Sequence, residues 1–425
     1  MSSRKFDLIV IGSGLTGAAA ACFAVKRGLK TAQVSATGGE LAFASGLLDL
    51  LAIYPLDEQK FWDDPWDGIA ALIGHSPRHP YARVGVAAIR KALQQFLAFL
   101  ESAGLKYCGL PDHNVSLVTA AGTLKSTYRV PQSMWRGVAA LQDSLPTLLV
   151  DFVGMKDFNA GLMVETLQSR WPALRARRIP FPLPFPGVDR HNLLLAEAME
   201  SAEVRAELAE TIRPHLADAQ LVGMPAILGL RFATQVISDL EDRLGVGILE
   251  IPTLPPSVPG FRLREAVEAA LSRQDVQLLH HRRVLATQTD GYRCNEITVG
   301  TESWRETLEA EGFILATGRF LGRGLAAGPS GVSETVFGLP VAQPPARSLW
   351  HREQFLDLRG HPVNEAGLEI DDQFRPLGID HGFAFENVFA AGSVLAHQDW
   401  MRTKSGAGLA ISTAYGAVEA FLRTR

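Results

Sequence analysis

Apolar and small residues open the chain in the order of a strand–turn–helix–strand unit. Residues 6–11 form an apolar run that is too continuous for a half-exposed strand and typical of a buried parallel strand. A glycine cluster and an alanine-rich stretch follow, and a second β-rich run occupies residues 31–34, after Gly28. The pattern therefore predicts strand, tight turn, helix and strand within about 30 residues, the length of one such unit.

Three glycines in that turn have the spacing G-x-G-x-x-G. Gly12 permits a sharp turn, Gly14 lets the backbone approach a phosphate, and Gly17 lets the helix pack on the strand. The free N–H groups and the positive end of the helix attract an anion. A glycine turn without a ligand is the alternative. The predicted phosphate-binding residues are Gly12, Ser13, Gly14, Leu15, Thr16 and Gly17.

The rest of the chain alternates strand and helix patterns. Residues 87–103 carry apolar positions at helical spacing, and two segments, 145–171 and 219–245, each indicate a buried strand that runs into a helix. Two Pro-rich stretches, 178–187 and 251–260, are typical of rigid connectors. Because this middle region has no second phosphate loop, we expect it to form an inserted domain.

Two segments of the C-terminal part end a predicted strand in small residues. Residues 313–316 lead into Thr317 and Gly318, and residues 387–391 lead into Gly392 and Ser393. A long helix is then predicted to begin at Ser405, Gly406, Ala407 and Gly408 and to run to about residue 422. The alternative is an ordinary helix start at which Ser405 caps the backbone.

If the two predicted helix N-termini face one ligand, they can serve two kinds of acceptor on it. One is a phosphate and the other is a reducible ring that gains negative charge, and a flavin has both. The loop after the second strand adds Ser45 and Gly46, whose backbone donors could reach a ring or a phosphate, although a plain glycine turn explains them equally well.

These patterns together predict the fold class. We expect an α/β protein with a Rossmann-like, doubly wound flavoprotein domain of the FAD/NAD(P)-binding type and an inserted second α/β or α+β domain. The predicted flavin-binding domain is discontinuous, with residues 1–60 and 262–425, and the insert covers residues 61–261.

One group expected at a dinucleotide site is missing. An acidic residue about 20 residues beyond the glycines usually binds the adenosine ribose. That position, after Val34, is Ser35, and the next acid is Glu40. Because a mononucleotide has no adenosine ribose, the sequence favours FMN, with FAD possible.

Composition excludes several classes of function. A net charge of −4 gives no broad basic field, which disfavours nucleic-acid binding. The three cysteines, Cys22, Cys108 and Cys294, are far apart, so we expect no metal or iron–sulfur site. No apolar run approaches the roughly 18 residues of a membrane span. The basic and apolar N-terminus imitates a secretory signal, but cleavage there would remove the phosphate loop, and we expect a cytoplasmic protein.

The sequence resembles the B subunit of anaerobic glycerol-3-phosphate dehydrogenase over nearly its whole length. The stretches that carry the resemblance are IGSGLTG, LAFASGLLDLL, AAGTLKSTY, TLPPSVPGFRL, FILATGRF and AAGSVLAH. The resemblance implies FMN and oxidation of sn-glycerol 3-phosphate to dihydroxyacetone phosphate, with electrons passed to quinone and so to fumarate or nitrate. It implies a complex with a catalytic A subunit and an iron–sulfur C subunit, which anchors the complex to the inner face of the cell membrane.

Such an oxidation needs a base for the hydroxyl proton and cations for the substrate phosphate. His397 is the candidate base because imidazole titrates near working pH, and a solvent-facing loop histidine is the alternative. Arg402, Lys404 and Arg319 are candidate phosphate ligands, since they lie near the predicted ring-binding loops. Two other functions stay open: an electron-relay or assembly subunit whose flavin never meets the substrate, and a stand-alone FAD-dependent reductase.

Overall fold

A computed structural model describes residues 4–183 and 190–425. The chain divides into two compact units. The first unit comprises Met1–Glu40, Leu48–Gly104 and Ala266–Arg425, and the second comprises Leu41–Leu47 and Leu105–Glu265.

The helices and strands are numbered separately in chain order. The helices are α1 (Leu15–Val25), α2 (Pro65–His75), α3 (Pro80–Val84), α4 (Val86–Ser102), α5 (Gln132–Asp143), α6 (Ala160–Leu167), α7 (Asn192–Ala198), α8 (Ala202–Ile212), α9 (Ala233–Leu244), α10 (Val258–Arg273), α11 (Trp400–Thr403) and α12 (Gly406–Thr424). The strands are β1 (Arg4–Ile11), β2 (Thr31–Val34), β3 (Tyr107–Cys108), β4 (Val115–Val118), β5 (Leu124–Thr127), β6 (Val130–Pro131), β7 (Thr147–Phe152), β8 (Leu174–Ile179), β9 (Leu221–Pro225), β10 (Gly247–Ile251), β11 (Gln277–Leu279), β12 (Arg283–Asp290), β13 (Arg293–Gly300), β14 (Arg305–Leu315), β15 (Leu325–Gly328), β16 (Gly331–Glu334) and β17 (Val388–Ala390).

A mixed sheet forms the centre of the first unit, with the order β11-β2-β1-β14-β13-β12 and β17 paired to β14. Strands β11, β2, β1, β14 and β17 pair in parallel, whereas β13 runs antiparallel to β14 and β12. The register aligns Ile11 with Val34 and Leu315, and Leu315 with Ala390. The carboxyl ends of β1, β2, β14 and β17 therefore lie at one edge of the sheet, where parallel α/β sheets bind ligands.

Small side chains allow the helices of the first unit to pack closely. A Cβ added at Gly17 in α1 would lie 2.0 Å from the Gly12 carbonyl oxygen. The whole of Ala407–Val418 in α12 is buried, and α12 packs against α1, α3 and α4. The predicted strands at 6–11 and 31–34, and the helix that begins near Ser405, are confirmed.

The second unit contains a four-stranded parallel sheet with the order β10-β9-β7-β8. Its core includes Leu149, Phe152, Val222 and Leu249 from the strands. The two strand-then-helix segments predicted at 145–171 and 219–245 are confirmed as β7 with α6 and β9 with α9. The strand and helix patterns thus predicted the α/β fold of both units.

Three segments, residues 41–47, 61–104 and 262–265, lie in a different unit from the domain predicted for them. Residues 61–104 were assigned to the insert, but residues 48–104 belong to the first unit, because α4 packs its apolar face against α12. Residues 41–47 belong to the second unit, where Leu47 packs with Val115 and Val130. The two-unit organisation was thus predictable, whereas tertiary packing decided which unit these segments joined.

The Pro-rich stretches also differ in detail from rigid connectors. Of the first stretch, 178–187, Arg178 and Ile179 end strand β8, and residues 184–187 lie outside the described residues. In the second stretch, 251–260, Ile251 ends β10 and α10 begins at Val258. Only the short run between those two elements connects them.

A buried ion pair ties α10 to the parallel sheet of the second unit. Arg262 donates from both Nη atoms to the Glu250 carboxylate at 2.7 and 2.8 Å, and its Nε donates to the Gly229 carbonyl at 2.7 Å. Burial alone would raise the pKa of Glu250, but the charge and hydrogen bonds of Arg262 lower it below its usual value. The carboxylate therefore stays charged inside the unit.

Replacing Arg262 by Met should destabilise the second unit by about 3 kcal/mol at neutral pH, because one buried charge loses its partner. Wild-type stability from this pair is present above the unfolded pKa of Glu250 and is lost as pH falls through the lowered folded pKa. The free energy of unfolding of the variant should not fall in this way as the pH is lowered. Urea unfolding between neutral and acid pH measures both effects. Arg213→Met, which removes an exposed pair with Glu210, is the control and should change stability by about 0.5 kcal/mol or less.

Candidate functional site

The turn between β1 and α1 has the geometry of an anion site. Gly12 has φ +129°, and a Cβ there would lie 2.1 Å from the Ala316 carbonyl oxygen, so only glycine fits. Helix α1 has no side-chain N-cap. In the part of the chain that the structure describes, the N–H groups of Leu15, Thr16 and Gly17 have no protein acceptor. Three residues in a row thus form a backbone cradle with free donors.

A second segment, which follows β2, backs this turn. The Ser13 hydroxyl donates to the Thr37 carbonyl at 3.0 Å. Gly39 has φ +72°, and a Cβ there would lie 2.4 Å from the Ser13 carbonyl oxygen. Because Gly39 contacts the turn directly, the segment fixes the position of the turn from behind. The Thr-Gly-Gly run was a sequence signal for this contact, but it was not among the predicted site residues.

The carboxyl ends of β14 and β17 lie beside the turn between β1 and α1. Thr317 follows β14, and its hydroxyl oxygen is buried without a hydrogen-bond partner among the described residues. Gly392 follows β17 with φ +80°, and a Cβ there would lie 2.1 Å from Thr16 Oγ1 in the first turn of α1. A Cβ added at Gly318 would lie 3.8 Å from Ser393 Oγ. The predicted residues Gly12–Gly17, Thr317, Gly318, Gly392 and Ser393 are therefore brought together.

Helix α12 begins with free backbone donors, like α1. Ser405 occupies the N-cap position, but its hydroxyl contacts Thr403 Oγ1 at 2.8 Å instead of capping the helix. No acceptor within the described ranges binds the N–H groups of Gly406 and Ala407, whereas that of Gly408 donates to the Asp49 carbonyl at 2.8 Å. The ordinary helix start, with Ser405 as cap, is thus not what the structure contains.

Tyr81 fixes the first turn of α12. Its hydroxyl donates to the Leu50 carbonyl at 2.7 Å and lies 3.3 Å from the Ser405 carbonyl oxygen. A Cβ added at Gly408 would lie 2.3 Å from that hydroxyl, so the contact requires glycine. Burial, with the nearby charge of Asp49, raises the pKa of Tyr81 well above its usual value, so the phenol stays protonated as a donor. Tyr81 was not among the predicted site residues, because its segment was assigned to the insert.

His397, the candidate base, lies in a fixed loop of the first unit. Its Nε2 is 2.7 Å from Glu369 Oε1, and its backbone N–H donates to the Glu365 carbonyl at 3.0 Å. The residue has φ +61°, a left-handed conformation that is uncommon for a non-glycine residue. His397 is therefore held on both sides by the protein.

His79 is a second imidazole whose electrostatics respond to His397. Its Nδ1 accepts the Tyr81 N–H at 3.1 Å, and the side chain is buried. Burial, with a smaller contribution from the charge of His397, lowers the pKa of His79 to about 3. His79 is therefore neutral at physiological pH.

Arg319, one of the candidate phosphate ligands, is hydrogen-bonded to backbone carbonyls of the protein. The Arg319 guanidinium donates to the carbonyls of Val363, at 2.7 Å, and Asn364. Burial lowers the pKa of Arg319, and the charges of Asp399 and Glu365 oppose that shift. In this structure Arg319 thus holds a neighbouring loop.

Arg402 and Lys404 lie at the short helix before α12. Arg402 is half-buried in α11, which Asp399 caps, and Lys404 is exposed with φ +52°. Both cations are within four residues of Gly406, where α12 begins. Because both precede the start of α12 so closely, Arg402 and Lys404 remain candidate ligands of a substrate anion.

The other three predicted cofactor residues, Ser35, Ser45 and Gly46, are divided between the two units. Ser45 and Gly46 belong to the second unit, where Gly46 has φ +79° and its carbonyl accepts the Tyr107 hydroxyl at 2.8 Å. Ser35 directly follows β2 in the first unit, and its hydroxyl lies 3.3 Å from His280 Nδ1. No carboxylate in the described ranges bonds to the Ser35 side chain.

Within residues 4–183 and 190–425, no group of three or more His, Cys, Asp or Glu side chains could hold a metal ion. None of the helices in those ranges is long and apolar enough to cross a membrane.

The strand ends, the glycine cradle and the two uncapped helices are the features of a flavoprotein. The chain matches the FAD binding domain family over residues 7–409, so it belongs to that family and binds a flavin. It also belongs to the B-subunit family of anaerobic glycerol-3-phosphate dehydrogenase, an oxidoreductase. A relative described as a probable B subunit of this dehydrogenase, from Halobacterium salinarum, is 33% identical, covering 97% of this chain and 96% of its own. Relatives named as the B subunit in Vibrio cholerae and Vibrio vulnificus are 30% and 29% identical, covering 99% and 98% of this chain and 97% and 96% of their own.

Free donors and an unpartnered hydroxyl show that the residues present fit a flavin. The N–H groups at the start of α1 suit a phosphate, and those of Gly406 and Ala407 suit a ring edge that gains negative charge. The buried hydroxyl of Thr317 still needs a partner, as buried polar groups in proteins do. All of these residues were predicted from local patterns alone.

Proposed function

We propose that this chain is the flavin-bearing catalytic subunit of a respiratory sn-glycerol-3-phosphate:quinone oxidoreductase. It oxidises glycerol 3-phosphate to dihydroxyacetone phosphate, and its electrons pass through partner subunits to quinone, with fumarate or nitrate as terminal acceptor. The names of the relatives support the substrate. The observation that carries the proposal is the meeting of Gly392 with Thr16 of α1 beside a buried α12, which supports one flavin site built from both ends of the chain.

The chain's own residues supply the remaining parts of an alcohol oxidation. A bound flavin supplies the acceptor for the hydride that leaves the carbinol carbon. His397 accepts the hydroxyl proton, and Arg402 and Lys404 bind the substrate phosphate. The free N–H groups at the start of α12 stabilise negative charge beside them. Arg319, which is bonded to two carbonyls, acts by fixing the 363–364 backbone.

We propose FMN as the flavin. Ser35, at the position of the ribose-binding acid, bonds to His280 and offers no carboxylate, which supports a cofactor without adenosine. The family description favours FAD instead. Mass spectrometry of the yellow compound released from the purified chain separates the two, because FAD carries an extra adenosine monophosphate. A mass equal to that of FAD would contradict this part of the proposal.

We propose that the chain works beside an A subunit and an iron–sulfur C subunit, on the cytoplasmic side of the cell membrane. The names of the relatives, which describe them as one subunit of several, support a multi-subunit complex. A flavin here would need further redox centres to reach quinone, and the described part of this chain has no group of three or more His, Cys, Asp or Glu side chains that could hold a metal ion. The C subunit would then provide both those centres and the membrane anchor.

Reduction of the bound flavin tests the proposed reaction. Glycerol 3-phosphate added without oxygen to the purified chain should bleach the flavin absorbance within seconds, because the substrate delivers two electrons to it. Bleaching that requires addition of the A subunit would support an electron relay instead. A flavin that another small alcohol bleaches, but glycerol 3-phosphate does not, would support a stand-alone reductase.

A further inference from the structure

Glu369 makes a short contact with the candidate base. Its Oε1 lies 2.7 Å from His397 Nε2. An ionised carboxylate only accepts hydrogen bonds, so the partner assigns the proton of the neutral imidazole to Nε2. His397 Nδ1 has no hydrogen-bond partner in the described part of the chain, and the side chain is partly exposed. The free lone pair of the ring is therefore on Nδ1, the nitrogen that does not contact Glu369.

One backbone bridge places both residues. The Leu368 N–H donates to the Val394 carbonyl at 2.8 Å, and the Ala396 N–H donates to the Leu368 carbonyl at 2.9 Å. A Cβ added at Gly367 would lie 2.5 Å from the Val394 carbonyl oxygen, so the two segments approach very closely. Glu369 directly follows Leu368, and His397 directly follows Ala396. Their contact is thus built into the backbone.

The loop that carries His397 is also fixed from its other side. The Gln398 Nε2 donates to the carbonyls of Ser393, at 3.1 Å, and Leu395, at 2.9 Å. The left-handed backbone at His397 is sustained by these bonds and by the Glu365 carbonyl. Uncommon backbone conformations held in this way cluster at functional sites.

Two other groups face the pair. Arg78 Nη1 lies 3.6 Å from the same Glu369 oxygen, but its side chain is largely exposed, so water screens its charge. His79 is neutral and adds no competing cation. Glu369 is thus the acidic side chain that lies within hydrogen-bond distance of His397.

We propose that Glu369 is a positioning residue, which holds His397 as the Nε2–H tautomer and leaves Nδ1 to accept the substrate hydroxyl proton. The inference rests on the proposed function and adds to it a residue that was not predicted from the sequence. As the O–H bond breaks, its proton passes to Nδ1, and a bound flavin would accept the hydride from the carbinol carbon. The Glu369 carboxylate stabilises the imidazolium that results.

Glu369→Gln tests this role, because glutamine keeps the size and can still accept the N–H bond but has no charge. Stopped-flow bleaching of the flavin by glycerol 3-phosphate should be about 100-fold slower at saturation, with the half-saturating concentration changed by about threefold or less. Glu369→Asp, which retains the charge, should recover part of the rate. Glu353→Gln removes an exposed carboxylate elsewhere in the first unit and should leave the rate unchanged.

A spectroscopic measurement separates positioning from a general loss of structure. In protein labelled with ¹⁵N-histidine, the His397 ring nitrogens should report one Nε2–H tautomer in the wild type and a mixture in Glu369→Gln, with His397→Gln used to assign the signals. Flavin content should be equal in both proteins. An unchanged tautomer, or a Glu369→Asp protein slower than Glu369→Gln, would overturn the inference. If glycerol 3-phosphate fails to bleach even the wild type, the proposed function fails, and the tautomer comparison still decides the role of Glu369.

Discussion

Gly14→Ala should give a folded protein with a reduced flavin content. Gly14 has φ −70°, which alanine adopts readily, and no protein atom lies within 4 Å of a Cβ added there. The side chain would instead point into open space beside the free N–H groups of α1. Because the second glycine of this motif lets the backbone approach a phosphate, the methyl group should lower flavin affinity about tenfold or more.

Flavin absorbance per protein and thermal unfolding of the flavin-free protein measure the two halves of this prediction. Alanine in place of an N-cap glycine costs about 1 kcal/mol or less, so unfolding should change little. Gly74→Ala in α2 is the matched control, since Gly74 also has no neighbour within 4 Å and lies within a helix. That protein should be fully yellow. A Gly14→Ala protein with full flavin content would show that phosphate does not bind at this turn.

Gly12→Ala gives the useful contrast. A Cβ at Gly12 would collide with the Ala316 carbonyl oxygen, and its φ of +129° disfavours any other residue. This substitution should therefore damage the fold as well as flavin binding. The two glycines of one motif serve different purposes, one for the backbone path and one for the ligand.

The cofactor side of the site could be predicted because its signals are local. A buried strand followed by glycines marks the carboxyl end of β1, and small residues after β14 and β17 mark the other two ends. Parallel pairing then brings those ends to one edge without further information. The pairing of Ile11 with Leu315, each the last residue of its strand, is one example.

Contacts between distant segments had no comparable signal. The amphipathic pattern of α4 showed that one face is buried, but not that α12 covers it. The pairing of Leu368 with the 394–396 backbone, which brings Glu369 to His397, joins segments without any shared motif. Arg319 was a candidate phosphate ligand because arginine follows a strand there, whereas the structure gives its guanidinium two carbonyl partners. Side-chain roles therefore depended on tertiary geometry more than cofactor loops did.

His397→Gln should abolish most substrate-dependent bleaching while the flavin stays bound. A positioned general base contributes about 10²- to 10⁴-fold, so we expect the rate constant to fall about 1,000-fold, as measured by stopped flow with glycerol 3-phosphate. Flavin content should not change, because His397 contacts Glu369 and not the cradle at α1.

His281→Gln is the matched control for this loss. His281 is also a histidine with a left-handed backbone, φ +57°, and it is exposed. Its replacement should leave the rate as in the wild type, since the His281 side chain has no role in the proposed reaction. Chemical reduction by dithionite should bleach both variants equally, because it needs no base. If His397→Gln is bleached by glycerol 3-phosphate as fast as the wild type, the proton must leave the hydroxyl by another route, and the base has to be sought elsewhere.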